Sequence, residues 1–254
     1  MVIGIKSATE IAAMRRAGAA VAEILSILKT SIRPSMKTKE LDIIAERELK
    51  ARGARSSFKG YRGYPASLCV SINEEIVHGI PGDRVIKEGD VVSLDFGAVV
   101  EGYHGDAAVT VAVGKVSPQA VGLIQTTREA LEAGIAAARA GGHLGDVSAA
   151  VQRCAESRGF GVVREYTGHG IGRAMHEEPL VPNFGIAATG PELKPGMTFA
   201  LEPMLTAGDW RTRVGADGWV VTTADRSLAA HFEHTIAITP GRAEILTAPA
   251  AGRA

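Results

Sequence analysis

A repeated order of elements, displaced by 106 residues, constrains the fold of this chain more than any other feature. In each half a helix, a short link, a second helix and a glycine stop come before a series of strands. The matched pairs are Arg33 with Arg139, Glu40 with Asp146, Leu41 with Val147, Arg52 with Arg158, and Gly53 with Gly159. An internal repeat of this kind predicts two similar halves, about 7–115 and 125–240, that share a site between them.

The helices are predicted from apolar residues that recur at spacings of three and four. Their expected ranges are Ser7 to about Lys29, Lys39–Ala51 with Thr38 as its cap, Gln125–Ala138, and Asp146–Ser157. Gly53 and Gly159 end the second helix of each half. Each half therefore contributes a helix pair.

Strands are predicted between and after these helices. Their expected ranges are Ser67–Ile72, Val91–Val99, His104–Val113, Glu165–Tyr166, Thr198–Glu202, Trp219–Thr222 and His234–Ile238. Helix pairs combined with antiparallel strands indicate an α+β fold with a central sheet backed by helices. We expect one catalytic domain over 1–254, with a Gly/Ala/Pro-rich tail at 241–254 that adds little.

Composition excludes several classes of protein. The 254 residues carry 28 basic and 28 acidic side chains, so the net charge is zero and the charge signature of a nucleic-acid binder is absent. Two cysteines form no disulfide framework and favour a reducing compartment. Neither a signal peptide nor an apolar run of about 18 residues is evident, so we expect a cytoplasmic protein without a membrane span.

Asp95 and Asp106 are the first candidates for chemistry. Their mean position lies in the tight turn expected around 100–102, which predicts that they stand opposite each other on one sheet face. Two carboxylates so placed within apolar strands need a cation or a shared proton. A divalent metal and a pair of exposed strand ends are equally weighted explanations at this point.

Other candidates stand near strand ends or in loops: His78, His169 within Thr167-Gly-His-Gly-Ile-Gly-Arg, His176, Glu202 before a proline, and Glu233. Singly, each is more typical of a structural or solvated residue. Together, two aspartates, two glutamates and one histidine are the ligands expected for Mn, Fe(II), Co(II) or Zn, and bridging carboxylates suit two ions. Two ions about 3.5–4 Å apart are typical of hydrolytic sites.

With these motifs the chain resembles type I methionine aminopeptidase, and the resemblance extends from about Ile5 to Thr239. The shared motifs, in order, are Cys69-Val-Ser-Ile-Asn-Glu, His78-Gly-Ile-Pro, Ser93-Leu-Asp-Phe-Gly, His104-Gly-Asp, Gly168-His-Gly-Ile-Gly-Arg, His176-Glu-Glu-Pro, Leu201-Glu-Pro and Glu233-His-Thr. The resemblance implies the pita-bread fold with two pseudo-twofold halves. It also implies removal of an N-terminal methionine from nascent chains whose second residue is small.

The resemblance further implies a role for each ligand. Asp95 chelates one of two metal ions, Asp106 and Glu233 bridge both, and His169 and Glu202 complete the shell of the other. A bridging water or hydroxide attacks the carbonyl after the first residue, and Glu202 accepts its proton. His176 contacts the scissile peptide and stabilises the developing charge.

By the same resemblance, His78 contacts the substrate and assists proton movement at the leaving amine. The expected methionine pocket is lined by Phe58, Tyr61, Tyr64, Cys69, Met175 and Trp219, an apolar and sulfur-rich wall that suits a thioether. Phe58 stands where a cysteine is common in the family, and Met175 where a phenylalanine is common. We expect a monomer that contacts the ribosome transiently, and neither an N-terminal extension nor the long insertion of type II enzymes.

Three alternatives are open on the sequence alone. One is a proline-specific dipeptidase of the same fold, although such relatives usually carry a separate N-terminal domain. Another is a non-enzymatic binding protein on the same fold, which the retention of all five ligand residues disfavours. The third treats the acids as ordinary surface groups, which the ordered set of motifs disfavours.

Overall fold

The structure is a computed structural model and describes residues 3–248. Four helices flank the sheets: α1 (Ala8–Ser31), α2 (Thr38–Ala51), α3 (Pro118–Ala137) and α4 (Leu144–Glu156). None of the helices in this part of the chain is long and apolar enough to cross a membrane.

Fifteen short strands are formed within residues 3–248. They are β1 (Arg55–Ser56), β2 (Cys69–Ile72), β3 (Glu75–Val77), β4 (Val91–Val100), β5 (Tyr103–Ala112), β6 (Gly161–Val162), β7 (Gly168–Gly170), β8 (Glu177–Val181), β9 (Thr198–Leu201), β10 (Met204–Thr206), β11 (Thr212–Val214), β12 (Val221–Thr223), β13 (Ala229–His231), β14 (Glu233–Ala237) and β15 (Glu244–Ile245).

One large antiparallel sheet forms the centre of the molecule. Its main path runs β1-β4-β5-β14-β9-β7-β8, with β2 beside β4 and β15 beside β14. Two three-stranded sheets, β13-β10-β6 and β11-β12-β3, complete the β structure. Separate apolar clusters pack α1 and α2 against the first half and α3 and α4 against the second. This arrangement confirms the predicted α+β class.

The two halves repeat the same local interactions at the predicted offset. The backbone N–H of Lys37 donates to the Glu40 carboxylate at the start of α2, and His143 donates in the same way to Asp146 at the start of α4, both at 2.8 Å. Gly53 and the matching Gly159 both have a positive φ, at 62° and 79°. The repeat is therefore present in hydrogen bonding as well as in sequence.

The β4–β5 hairpin contains both candidate aspartates, but its register differs from the prediction by two residues. Asp106 pairs with Gly97 rather than with Asp95. The reason is a two-residue turn at Glu101 and Gly102, with φ of 53° and 79°, which centres the hairpin between them. Because moving the centre by one residue shifts the register by two, the two aspartates still share one face as diagonal neighbours.

The halves meet where β5 of the first lies beside β14 of the second. Ala108 pairs with Glu233 and Ala107 with His234. Beyond this short ladder, threonine hydroxyls make the hydrogen bonds between the two halves. Thr235 Oγ1 accepts from the N–H of Asp106 at 2.9 Å and donates to its carbonyl at 2.8 Å.

The line along which β5 of the first half meets the second half is called the seam here. At its other end, Thr110 Oγ1 makes the same pair of hydrogen bonds with the backbone of His231 in β13. It accepts from the His231 N–H at 2.8 Å and donates to the His231 carbonyl at 2.7 Å. All four of these backbone groups are thus satisfied where the halves join.

Several predicted helix starts differ from the structure, including that of α4, which begins at Leu144 rather than at Asp146. Thr38 is the first residue of α2 rather than its cap, and its hydroxyl bonds instead to Gly82. The third helix begins at Pro118, seven residues earlier than predicted, because Ser117 caps it by accepting from the N–H of Ala120 at 3.2 Å.

Two strand predictions also need correction. Glu165–Tyr166 forms no strand, because the Glu165 carboxylate accepts the N–H of Thr212 at 2.9 Å and holds the segment as a bend. The strand predicted from Trp219 begins at Val221, because Asp217 Oδ1 accepts the N–H of Trp219 in a turn.

The predicted tail contributes more than expected within the described residues. Glu244–Ile245 pairs with β14, and Leu246 and Thr247 are buried. The carbonyl of Leu246 lies so close to Gly18 of α1 that a Cβ there would be 2.1 Å from its oxygen. The expectation that residues 241–254 add little is therefore wrong for 244–247, and its part at 249–254 lies outside the described residues.

Candidate metal centre

One cavity of about 160 Å³ opens on the face of the central sheet that carries the aspartates. All thirteen predicted site residues line it, together with Arg62. The lining is Phe58, Tyr61, Arg62, Tyr64, Cys69, His78, Asp95, Asp106, His169, Met175, His176, Glu202, Trp219 and Glu233. The structure therefore brings the whole predicted set together, although their separate roles stay predictions.

The five predicted ligands come from both halves. Asp95 and Asp106 lie in β4 and β5, while His169 lies in β7, Glu202 directly follows β9, and Glu233 begins β14. Gly97, opposite Asp106, leaves room for this group. A Cβ at Gly97 would lie 2.8 Å from the Phe58 ring and 3.1 Å from Asp106 Oδ1, so a side chain there would push into both.

Three of the ligands are already clustered. One ligand atom from each of Asp106, His169 and Glu233 lies within 4.8 Å of the other two, and all three side chains are buried. Glu202 is adjacent, with Oε1 at 3.5 Å from His169 Nε2. Asp95 stands on the same sheet face, and its Oδ1 is buried with no hydrogen-bond partner among the described residues.

His169 presents a defined nitrogen to this cluster. Its Nδ1 lies 2.9 Å from the backbone oxygen of Gly170, which can only accept a hydrogen bond, so Nδ1 carries the proton. Burial and the neighbouring His176 lower the pKa of His169 to about 3, so the ring is neutral at neutral pH. Nε2 is then an unprotonated ligand atom, as a metal requires.

The four carboxylates destabilise one another. Burial is the main cause that raises the pKa of Asp95 to about 7. Burial and the charges of the other carboxylates raise the pKa values of Asp106, Glu202 and Glu233 well above the usual range. Such a cluster is stable at neutral pH only with bound protons or a cation.

The residues fit a divalent metal. Asp95 Oδ1, Asp106 Oδ1 and Glu233 Oε1 are buried and have no hydrogen-bond partner in residues 3–248, which leaves them free as ligand atoms. Carboxylates with one imidazole suit Mn, Fe, Co or Zn ions. The nearest cysteine, Cys69, has its pKa raised by burial and by Asp95, which keeps it a neutral thiol.

The wall of the cavity is apolar and aromatic. Phe58, Tyr64, Cys69, Met175 and Trp219 belong to one apolar cluster, so the two unusual residues of the pocket, Phe58 and Met175, remain part of its wall. Tyr64 packs edge-on against Trp219, with ring centroids 5.0 Å apart, and its hydroxyl donates to the carbonyl of Gly79 at 3.0 Å. The wall is thus fixed in shape.

Two histidines line the same cavity. His176 Nδ1 is 2.8 Å from the Tyr61 hydroxyl, and its ring centroid is 4.1 Å from that of His169. His78 adopts a positive φ of 62°, and its ring packs edge-on against Trp219 at 6.3 Å. Burial, with His176 nearby, lowers the pKa of His78 to about 4, so it is neutral and can donate or accept a proton.

Sequence reasoning missed two residues. Arg62 lines the cavity next to Tyr61, and its guanidinium carbon is 5.4 Å from that ring. Its position next to the predicted pocket residue Tyr61 was an available signal. His231 is buried behind Glu202 and Glu233, and its position two residues before Glu233 was the corresponding signal.

Comparison with known proteins agrees with this geometry. The model of metallopeptidase family M24 matches residues 12–240. A methionine aminopeptidase of Bacillus subtilis is 50% identical over 95% of this chain and 98% of its own length. The crystal structure of methionine aminopeptidase from Thermotoga maritima superposes with a TM-score of 0.96 at 48% identity, covering 97% of this chain and 99% of its own.

The chain belongs to metallopeptidase family M24, and within it to the type I methionine aminopeptidases. The resemblance and the pita-bread fold expected from the sequence are thereby confirmed. The prolidase of Pyrococcus horikoshii is similar to this chain in fold. It is 22% identical, with a TM-score of 0.77, and the match covers 63% of that chain.

Proposed function

We propose that this metal-dependent aminopeptidase removes the N-terminal methionine from nascent proteins and peptides whose second residue is small, using two divalent ions. The observation that carries the proposal is the junction of two surfaces in one cavity. Buried carboxylate oxygens that have no hydrogen-bond partner within residues 3–248 lie on one side, and a rigid apolar wall with a thiol and a thioether lies on the other. The preference for a small second residue follows from the family.

Five side chains would hold the ions. As the family resemblance implies, Asp95 would hold one ion, His169 and Glu202 would hold the other, and Asp106 and Glu233 would contribute to both. Bound ions of this type lower the pKa of a water molecule from 15.7 to about 7 and so supply a nucleophile at neutral pH. Co, Mn, Fe(II) and Zn all suit these ligands.

The protein's own groups perform the remaining tasks. Glu202 would accept a proton from the attacking water, since its carboxylate lies 3.5 Å from His169 among the predicted ligands and burial raises its pKa above the usual range. His176, held by Tyr61, donates to the developing charge on the scissile carbonyl oxygen. His78 is neutral and stands at the cavity wall, where it assists proton movement to the leaving amine.

The wall selects the first residue of the substrate. Tyr64, Cys69 and Trp219 surround an apolar space that takes a thioether side chain by dispersion and sulfur–aromatic contacts. Phe58 and Met175 complete this space, and their combination sets the depth of the pocket. A charged first residue would lose its hydration in such a space and is rejected.

The cellular setting is part of the proposal. We place the enzyme in the cytoplasm as a monomer that meets nascent chains through transient contact with the ribosome. Two free cysteines, one of them buried, are consistent with a reducing compartment.

A panel of metals and peptides tests the reaction. Metal-free protein is reloaded separately with Mn, Fe(II), Co(II) or Zn and assayed against Met-Ala-Ser, Met-Leu-Ser and an Xaa-Pro dipeptide. We expect Met-Ala-Ser to be cleaved well, Met-Leu-Ser poorly and the dipeptide not at all. Cleavage of the dipeptide in place of Met-Ala-Ser would refute the substrate assignment.

Asp95→Ala tests the ligand assignment. We expect it to abolish cleavage of Met-Ala-Ser while circular dichroism shows the fold retained. Glu132→Gln is a matched control, because Glu132 is an exposed acid on α3 whose distance to Arg128 is 3.9 Å. The control should cleave at the wild-type rate, and a fully active Asp95→Ala protein would contradict the assignment.

A further inference from the structure

His231 is the buried polar side chain that the proposed reaction leaves without a task. It ends β13, is 1% exposed, and neither ring nitrogen has a hydrogen-bond partner in residues 3–248. A neutral imidazole carries one N–H donor and one acceptor, and burying both without partners is unfavourable. Such a group in a native fold calls for an explanation.

The backbone of His231 is fixed from two directions. His231 pairs with Met204 of β10 in the sheet. Its backbone N–H and carbonyl both hydrogen-bond to the hydroxyl of Thr110. Thr110 belongs to the first half and Met204 to the second. The backbone that carries the ring is therefore held at a set position relative to both halves.

The ring points at two of the proposed metal ligands. Its Nε2 is 3.9 Å from an oxygen of Glu202 and 3.9 Å from an oxygen of Glu233. That distance is too long for a hydrogen bond, but a movement of under about 1 Å brings Nε2 within range of either carboxylate. Within residues 3–248 neither carboxylate accepts a hydrogen bond from another side chain, so His231 is the available donor.

His231 differs from His169 in a way that separates their tasks. His169 lines the cavity and offers an unprotonated Nε2, because its proton is fixed on Nδ1 by Gly170. His231 does not line the cavity and stands behind Glu202 and Glu233. It can reach a metal only through those carboxylates.

We propose that His231 is a positioning residue for the metal centre: its Nε2–H donates to Glu202 or Glu233 when a cation draws those carboxylates into place. The hydrogen bond orients the carboxylate and strengthens its hold on the ion. Groups that support ligands in this way typically change metal affinity by about 10–100-fold when they are removed. The inference rests on the proposed ligand set, but it does not depend on which peptide is cleaved.

The test is metal binding in the absence of any peptide. Mn²⁺ is titrated into the metal-free full-length protein by calorimetry, and the visible absorption spectrum of the Co(II)-loaded form is recorded. His231→Leu removes the donor at similar volume, and His231→Gln keeps an N–H donor. His234→Gln is the matched control, since His234 is three residues away and bonds to Thr247 at 2.9 Å.

We expect His231→Leu to weaken Mn²⁺ binding by about 10–100-fold and to change the Co(II) spectrum, with His231→Gln within a few-fold of wild type. The thermal midpoint of the metal-free Leu variant should rise, because two unpaired buried nitrogens are removed. A merely structural histidine would lower that midpoint instead. Wild-type Mn²⁺ affinity and an unchanged spectrum in His231→Leu would overturn the inference.

Should His231→Leu fail to fold, His231→Met gives the same comparison with a more adaptable side chain and is judged by the same two readouts. A failure of the proposed function is distinguishable from a failure of this inference. Absence of methionine-specific cleavage by the wild-type protein would contradict the proposed function. An unchanged metal affinity in the His231 variants would contradict only the inference about His231.

Discussion

Replacing Asp95 by asparagine should stabilise the metal-free protein at neutral pH. Asp95 lies in a group of buried carboxylates, and burial raises its pKa from 3.8 to about 7. At 1.36 kcal/mol per pKa unit, that rise corresponds to about 4 kcal/mol of unfavourable free energy once the group is ionised. This is an upper limit, because the Asp95 side chain keeps some exposure to solvent where it lines the cavity, although its Oδ1 is buried.

The sign of the pH dependence follows from proton binding. Between pH 4 and pH 7 the folded protein keeps a proton on this site that the unfolded chain has lost, so the free energy of unfolding falls as pH rises. One such group gives a slope of about 1.4 kcal/mol per pH unit. Below pH 4 both states are protonated and the effect disappears. Asp95→Asn removes this contribution, and it also removes one repelling charge from Asp106, Glu202 and Glu233.

Urea unfolding in EDTA, followed by tryptophan fluorescence from pH 5 to pH 8, measures the effect. The variant should exceed the wild type by a few kcal/mol at pH 7.5 and converge with it towards pH 4. With Mn²⁺ present the order should reverse, because the wild type has one more anionic ligand. Glu132→Gln again serves as the control and should follow the wild type. An Asp95→Asn protein that is less stable than the wild type in EDTA at every pH would refute the reasoning.

Three further perturbations have defined outcomes. Tyr61→Phe removes the hydroxyl 2.8 Å from His176 Nδ1 and should lower kcat by about 10-fold or more with little change in KM, as measured on a Met-Ala peptide. Gly18→Ala should destabilise the protein by about 1–3 kcal/mol in urea unfolding, because the new methyl group would overlap the Leu246 carbonyl. Gly122→Ala, also within a helix, should stabilise by about 0.5–1 kcal/mol in the same assay, since its nearest neighbouring atom is 3.6 Å away.

The features that the sequence predicts well are those set by local pattern. Helix periodicity, the two positive-φ glycines after α2 and α4, and the repeat of helix pairs all depend on residues close together in the chain. The shared face of Asp95 and Asp106 was also predictable, because a turn fixes the face of both strands. Their register was not, since it depended on whether the turn centred before or after Glu101.

The features that the sequence does not predict depend on distant partners. The Glu165 bend exists because its carboxylate meets Thr212, and the order of residues 244–247 depends on their contact with α1 and β14. His231 shows the same limit at the site. Its position behind Glu202 and Glu233 depends on the pairing of β13 with β10 and on the bonds of Thr110 in β5, and no short motif predicts these contacts.

The seam at the centre of the large sheet links metal occupancy to the closure of the two halves. Asp95 and Asp106 lie on one side of it, and His169, Glu202 and Glu233 lie on the other, while a two-residue ladder and the Thr235 hydroxyl join β5 to β14 and the Thr110 hydroxyl joins β5 to β13. Divalent ions held by side chains from both halves would act as cross-links over this seam. The free energy of ion binding would then also help to hold the two halves together. Backbone amides of β5 and β14 should therefore exchange hydrogen faster in chelator than in Mn²⁺.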